Sequence, residues 1–274
     1  MLKFETMNPK WKKRIRTTAK ITLLVYLALG AILFLIQDLL LFHPRPLHPN
    51  HRFSFAQPFE ELNLPVGNRN LSIVKFRPDS VRKGIVLFFH GNRENVEHYS
   101  QYPALFTQNH YEIWMIDYPG FGKTTGQRSE ERMYQDALLM YEKAARQVSN
   151  DSIIIYGKSI GTGVASFLAA ERPCRQLILE TPYYSIDALA RHYFPFYPVP
   201  LTKYHFPIYE YLKKVKAGIT IFHGTTDHIV PYKQGRKLAE ENTGVQLITI
   251  ESGRHNNLAT FPLFRRKLDA LLRN

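Results

Sequence analysis

The chain has 274 residues, 45% of them apolar and 22% charged, a composition typical of one globular domain with a short appendage and unlike disordered or collagen-like proteins. Its single cysteine, Cys174, excludes an internal disulfide framework and a cysteine-based zinc site. The net charge of +13 does not predict a nucleic-acid partner, because residues 1–20 hold seven of the basic side chains and no basic stripe interleaved with aromatic residues follows them.

The first predicted element is an apolar helix that follows the basic arm at residues 1–20. Residues 21–36 carry no charge, Gln37 and Asp38 interrupt the run, and Leu39–Phe42 completes it. At about 1.5 Å per residue, this segment forms a helix of roughly 33 Å, which crosses a bilayer core of about 30 Å if Gln37 and Asp38 lie near the far interface. We expect an uncleaved transmembrane anchor at residues 21–42; a cleaved signal peptide and a helix packed on the domain are the alternatives.

Charge asymmetry around this helix predicts its orientation. Many basic side chains precede it and almost none follows, which places the N-terminus in the cytoplasm and the folded domain on the outer, periplasmic or equivalent, side. Pro44, Pro46 and Pro49 then predict a stiff, extended linker over residues 43–56.

The remaining residues, 57–274, are predicted to form one α/β domain. A half-exposed hairpin at residues 59–76 opens it, and continuous apolar runs follow, as in strands that are buried on both faces of a parallel sheet. These runs are Gly84–Phe89, Tyr111–Ile116, Ser152–Tyr156, Gln176–Leu179, Gly218–Phe222 and Val245–Ile250. Helical patterns at 129–148, 159–170, 232–242 and 261–272 separate most of them. Strands that alternate with helices predict a mostly parallel sheet with helices on both faces.

Residues at the carboxyl ends of these strands are the candidates for a site, since ligands bind there in such sheets. Gly157–Gly161 fits G-x-S-x-G between a strand and a helix, the context in which Ser159 is a nucleophile on a sharp turn. A serine needs a base oriented by a carboxylate, and His255 and Asp227 follow the last two strands. Glu180, at the preceding strand end, is a second candidate for the acid.

The developing oxyanion of an acyl-transfer reaction also needs hydrogen-bond donors. We expect these to be the backbone N–H groups of Ile160, at the start of a helix, and of Asn92, in the loop after a buried strand. No H-E-x-x-H or comparable metal-binding spacing occurs, so neither a metal nor a cofactor is implied.

The motifs together resemble the bud-emergence-type (Bem-like) α/β-hydrolases over roughly residues 57–274. The motifs that carry the resemblance are His90-Gly91-Asn92, Asp117–Gly122, Gly157–Gly163, His223–Pro231 and His255-Asn256-Asn257. The family contains membrane-tethered serine hydrolases related to acyl-protein thioesterases. The resemblance therefore implies the α/β-hydrolase fold, a triad of Ser159, Asp227 and His255, and an acyl ester or thioester substrate.

The sequence departs from the family pattern at Arg93 and Arg254, where small residues are usual. Both are candidates for the mouth of the site, where they would favour anionic substrates; solvated surface arginines are the alternative. An aromatic segment at about residues 183–215 is predicted to be a small cap that either packs on the core or lines an acyl pocket.

The sequence thus predicts a membrane-anchored serine hydrolase that acts through an acyl-enzyme. A serine peptidase of the same fold is the alternative among enzymes, because a triad also cleaves amides. A non-catalytic, membrane-tethered binding module is the alternative from another class.

Overall fold

A long N-terminal helix precedes the domain in the computed structural model, which describes residues 8–196 and 202–273. Helix α1 (Pro9–Leu41) is capped by Asn8, whose side chain accepts a hydrogen bond from the N–H of Lys10 at 2.9 Å. Its 33 residues, about 50 Å at ~1.5 Å per residue, join part of the basic arm to the apolar run. Its most apolar part has a mean hydropathy of 2.4 and is almost entirely exposed, so by length and composition it suits a membrane span.

The domain is built on an eight-stranded, mostly parallel sheet, as predicted. The strands of the chain are β1 (His43–Pro44), β2 (Phe59–Val66), β3 (Arg69–Phe76), β4 (Gly84–Phe89), β5 (Arg93–Glu94), β6 (Tyr111–Ile116), β7 (Ile153–Lys158), β8 (Gln176–Glu180), β9 (Gly218–Gly224) and β10 (Val245–Ile250). The order across the sheet is β10-β9-β8-β7-β4-β6-β3-β2, and β3 runs antiparallel to both of its neighbours while the other pairs are parallel. All residues of β4, β6 and β7 are buried, which accounts for their continuous apolar runs.

Helices cover both faces of the sheet, as predicted. They are α2 (Tyr102–Thr107), α3 (Glu130–Ala145), α4 (Gly161–Glu171), α5 (Ile186–Tyr193), α6 (Ile208–Tyr211), α7 (Tyr232–Glu241) and α8 (Pro262–Arg273). Alternate residues of β4 point into two separate cores: Leu87 packs with α3 and α4, whereas Phe88 packs with α2 and α8. The period of two in a strand produces this division.

The segment between α1 and the sheet is extended and lies against the domain. Strand β1 pairs in parallel with β5, and the N–H of Leu47 donates to the carbonyl of Gly122 at 2.7 Å. Phe53 is buried among the aromatic residues of the sheet edge. These contacts tie the end of α1 to the loops that follow β4 and β6.

Candidate active site

Ser159 lies in the tight turn between β7 and α4 and adopts a φ of +52°, the left-handed region that ordinary side chains rarely occupy. Two glycines make this turn possible. A Cβ at Gly157 would lie 2.6 Å from the carbonyl oxygen of Gly161, and one at Gly161 would lie 2.1 Å from that of Phe89. The N–H of Ser159 donates to the carbonyl of Glu180 at 2.9 Å, so β8 holds the strained turn in place.

The structure brings Ser159, His255 and Asp227 into one hydrogen-bonded chain. His255 Nε2 lies 2.8 Å from Ser159 Oγ, and His255 Nδ1 lies 2.8 Å from Asp227 Oδ2. The other oxygen of Asp227 accepts the backbone N–H groups of Ile229 and Val230, at 2.9 and 2.8 Å. The carboxylate is therefore fixed on one side by its own loop and orients the imidazole with the other. This is the geometry that a serine nucleophile and its base require.

The surroundings of the two titratable groups suit these roles. Burial opposes ionisation of Asp227, but hydrogen bonds from His223, His255 and the N–H of Val230 outweigh it and lower the pKa of that carboxyl well below its ordinary value. Burial lowers the pKa of His255, and the positive charge of Lys158 acts in the same direction against the attraction of Asp227. At neutral pH the pair is thus a carboxylate and a neutral imidazole, which is the form of a general base.

Glu180, the second candidate for the acid, is occupied elsewhere. It is fully buried, and its carboxylate accepts hydrogen bonds from Lys158 Nζ at 2.6 Å and from the hydroxyls of Tyr102 and Tyr156. Lys158 Nζ also donates to the carbonyl oxygen of His255 at 3.0 Å. This buried network was not predicted from the sequence. The sequence shows only that each residue follows a predicted strand; their pairing comes from the register of β7 and β8, in which they are partners.

Asn92 and Ile160, the residues of the two predicted oxyanion donors, line an apolar cavity together with Ser159. Among residues 8–196 and 202–273, the backbone N–H groups of Asn92 and Ile160 donate to no protein acceptor. Groups of this kind are suited to bind a developing oxyanion. The Asn92 loop is in turn held by α1, since Asn92 Nδ2 donates to the carbonyl of Leu41 at 2.9 Å and the N–H of His43 donates to the carbonyl of Asn92 at 2.8 Å.

His90, Asp117 and His223 hold the loops around the site. Asp117 Oδ1 accepts the N–H of Val96 at 3.0 Å and lies 3.2 Å from His90 Nε2. His223 Nε2 lies 2.9 Å from the carbonyl oxygen of Val230, which braces the loop that carries Asp227.

A cavity of about 360 Å³ opens beside Ser159, with mostly apolar lining. Among the aromatic residues of the predicted cap, Tyr193 and Phe194 line this cavity and Tyr204 and Phe206 are buried in the core. Tyr183 belongs to both sets. Residues 197–201 of the cap lie outside the described part of the chain. The cavity also receives Leu33, Gln37, Leu40 and Leu41 of α1, which the sequence did not indicate.

The two arginines that are candidates for the mouth of the site are surface residues. Arg93 and Arg254 are both exposed, and neither belongs to the described lining of this cavity. Their role at the mouth therefore stays a prediction, with solvated surface residues as the alternative.

The chain is similar to known hydrolases. A family model described as serine aminopeptidase S33 matches residues 80–203, which include Ser159 but neither Asp227 nor His255. The chain is 29% identical over 187 residues to alpha/beta hydrolase domain-containing protein 17C of Xenopus tropicalis and 28% identical to that of Mus musculus. Each alignment covers 67% of this chain, and the chain spans only 59% and 58% of the length of these relatives.

Solved structures share the fold at lower identity. An esterase of Pyrococcus furiosus superposes with a TM-score of 0.67 at 16% identity, covering 85% of this chain and 97% of the esterase. A soluble variant of the monoglyceride lipase of Saccharomyces cerevisiae superposes with a TM-score of 0.61 at 16% identity, covering 82% and 97% of the two chains. These likenesses confirm the fold predicted from the strand pattern.

Proposed function

We propose that the chain is an α/β-hydrolase, and specifically a membrane-anchored serine hydrolase that cleaves an acyl ester or thioester. Ser159 is the nucleophile, His255 the general base and acid, and Asp227 the residue that orients the imidazole. The observation that carries the proposal is the hydrogen-bonded chain Ser159–His255–Asp227 at the edge of an apolar cavity. The Bem-like branch remains our assignment within the family.

The reaction proceeds in two halves. Ser159 Oγ attacks the acyl carbonyl as His255 Nε2 takes its proton, and the N–H groups of Asn92 and Ile160 stabilise the oxyanion. The intermediate collapses, the bond to the leaving oxygen or sulfur breaks, and His255 returns the proton to the leaving group. Water then attacks the acyl-enzyme with His255 again as base, which releases the carboxylic acid and restores Ser159.

The lining of the cavity favours an acyl substrate over a peptide. The matching family model is described as an aminopeptidase, so peptide hydrolysis is the second candidate. An aminopeptidase needs an anionic or carbonyl-rich pocket for the free amino group of its substrate. No Asp or Glu belongs to the described lining, which includes Leu40, Ile186 and Val230. Such a lining suits an acyl chain.

Helix α1 supports the membrane part of the proposal. Its large apolar side chains are open to solvent, with Leu24 66% and Leu35 71% exposed, and a lipid bilayer would cover them. The basic residues before the apolar run favour a cytoplasmic N-terminus, with the domain on the outer side.

The test is covalent labelling with a fluorophosphonate probe. Purified wild type and the matched control Ser100→Ala, which changes an exposed loop serine, are expected to label equally, whereas Ser159→Ala is expected not to label. A panel of p-nitrophenyl esters, acyl thioesters and aminoacyl amides then ranks ester against amide cleavage. Folded wild-type protein that does not label would favour the binding-module alternative, and faster cleavage of the amides would favour the peptidase.

A further inference from the structure

The C-terminal part of α1 forms one wall of the candidate active site. Leu33, Gln37, Leu40 and Leu41 face a cavity whose other side holds Ser159. Spacings of three, four and seven residues place these four side chains on one face of the helix. The same helix that suits a membrane span therefore takes part in the site.

A second apolar groove continues the cavity along α1. The groove is about 280 Å³, and it shares Leu33, Tyr193 and Phe194 with the cavity beside Ser159. From there it runs between α1 and the end of α5 to Tyr26 and Phe196, the second of which is 86% exposed. Tyr26 precedes Leu41 by about 22 Å along the helix axis, at ~1.5 Å per residue. An apolar path thus leads from Ser159 into the part of α1 that a bilayer would surround.

Polar contacts fix the cap to α1 beside this path. Gln37 Oε1 accepts the N–H of Lys203 at 2.7 Å, and Asp38 accepts the hydroxyl of Tyr204 at 2.6 Å. Lys203 Nζ lies 3.0 Å from the Asp38 carboxylate. These bonds satisfy the two polar residues that interrupt the apolar run. They also hold α1 against the cap, so the wall has a defined position relative to Ser159.

We propose that a bilayer lipid ester places its long acyl chain in this path, between α1 and α5, and that the chain reaches Ser159 directly from the membrane. The inference rests on the proposed hydrolase function and on α1 as an anchor. It makes Leu33 a specificity-determining residue, because Leu33 is common to the cavity and the groove. A chain in this path stays in apolar surroundings, so it is never transferred through water.

The test measures chain-length selectivity in the full-length protein, reconstituted in phosphatidylcholine nanodiscs. The probes are p-nitrophenyl butyrate and p-nitrophenyl palmitate, and the variants are Leu33→Trp, to fill the path, and Leu35→Trp. Leu35 lies two residues from Leu33 on the outer side of α1 and is 71% exposed. Leu35→Trp is therefore the matched control, with the same substitution outside the path. In Leu33→Trp the ratio of kcat/KM for palmitate over butyrate is expected to fall at least about tenfold, the effect of losing about two buried methylene groups. In Leu35→Trp the ratio is expected to remain that of wild type.

Equal ratios in wild type and Leu33→Trp, or equal falls in both variants, would overturn the inference while leaving the hydrolase proposal intact. Wild type that cleaves neither probe would instead contradict the proposed function. If Leu33→Trp does not fold, the proposal is tested by labelling the wild-type protein with two fluorophosphonates of different chain length. A hexadecyl fluorophosphonate in nanodiscs is expected to label Ser159 at least about tenfold faster than a butyl one, again the worth of a few buried methylenes. Equal labelling rates would refute the path.

Discussion

The buried Lys158–Glu180 pair beneath the nucleophile is expected to stabilise the whole site. Lys158 is 4% exposed and Glu180 is fully buried, with 2.6 Å between Nζ and Oε1. Lys158→Met removes the cation and leaves the carboxylate with two tyrosine hydroxyls as donors. Removing one partner of a buried ion pair typically costs about 3–5 kcal/mol, and we expect a loss of that size in the free energy of unfolding.

The assay is urea unfolding of the full chain in detergent micelles, followed by the fluorescence of the fully buried Trp114. Glu180→Gln and the double variant complete a double-mutant cycle. We expect the double variant to be more stable than the sum of the two single losses, by about 0.5–3 kcal/mol, because it leaves no unpaired charge. Lys158→Met is also expected to lower kcat, since Lys158 holds the carbonyl of His255. A loss below about 1 kcal/mol in Lys158→Met, the worth of an exposed pair, would refute the reasoning.

Four further predictions concern the site. Asp227→Asn is expected to lower kcat by about 10⁴, as loss of the orienting carboxylate does in serine proteases, and a drop of tenfold or less by ester assay would assign the acid elsewhere. Burial lowers the pKa of His255, so activity should fall only as pH drops through a value below about 6.5; a limb of the kcat/KM profile at or above pH 7 would contradict this. Gly161→Ala brings a Cβ to 2.1 Å from a carbonyl of β4 and should lower the free energy of unfolding by at least about 1–3 kcal/mol, measured in urea. Arg93→Ala and Arg254→Ala are expected to leave the preference between anionic and neutral esters unchanged, and a clear shift toward neutral esters would return both arginines to the mouth of the site.

Much of the sheet could be predicted from the sequence, because burial on both faces leaves an unmistakable apolar run. The runs Gly84–Phe89 and Tyr111–Ile116 coincide with the fully buried strands β4 and β6, whereas Val245–Ile250 coincides with β10, an edge strand that is only partly buried. The candidate site was predicted from topology, since parallel strands bring their carboxyl ends together. The start of α4 was predicted two residues too early: α4 begins at Gly161, and Ser159 lies before it in the strained turn. The G-x-S-x-G motif indicates the position of that turn, whereas the spacing of apolar residues does not show where the helix begins.

What the sequence did not reveal depends on contacts between distant side chains. The partner of Lys158 is set by the register of β7 and β8, which a strand pattern does not specify. The role of α1 as a wall of the cavity depends on Gln37 and Asp38 meeting the cap, 165 and 166 residues later in the chain. In the sequence these two residues predict only an interface with the membrane surface.

The hydrogen bonds between the end of α1 and the Asn92 loop determine what proteolytic cleavage after α1 would do to the candidate site. A protease that cut the chain after α1 would release a domain without one wall of its cavity and without the Leu41 carbonyl that holds Asn92. Phe42, now buried against Phe121 and Tyr204, would become a frayed end. Cleavage at this point would therefore dismantle the candidate site instead of shedding an active soluble form, and under the proposed function it would end hydrolysis.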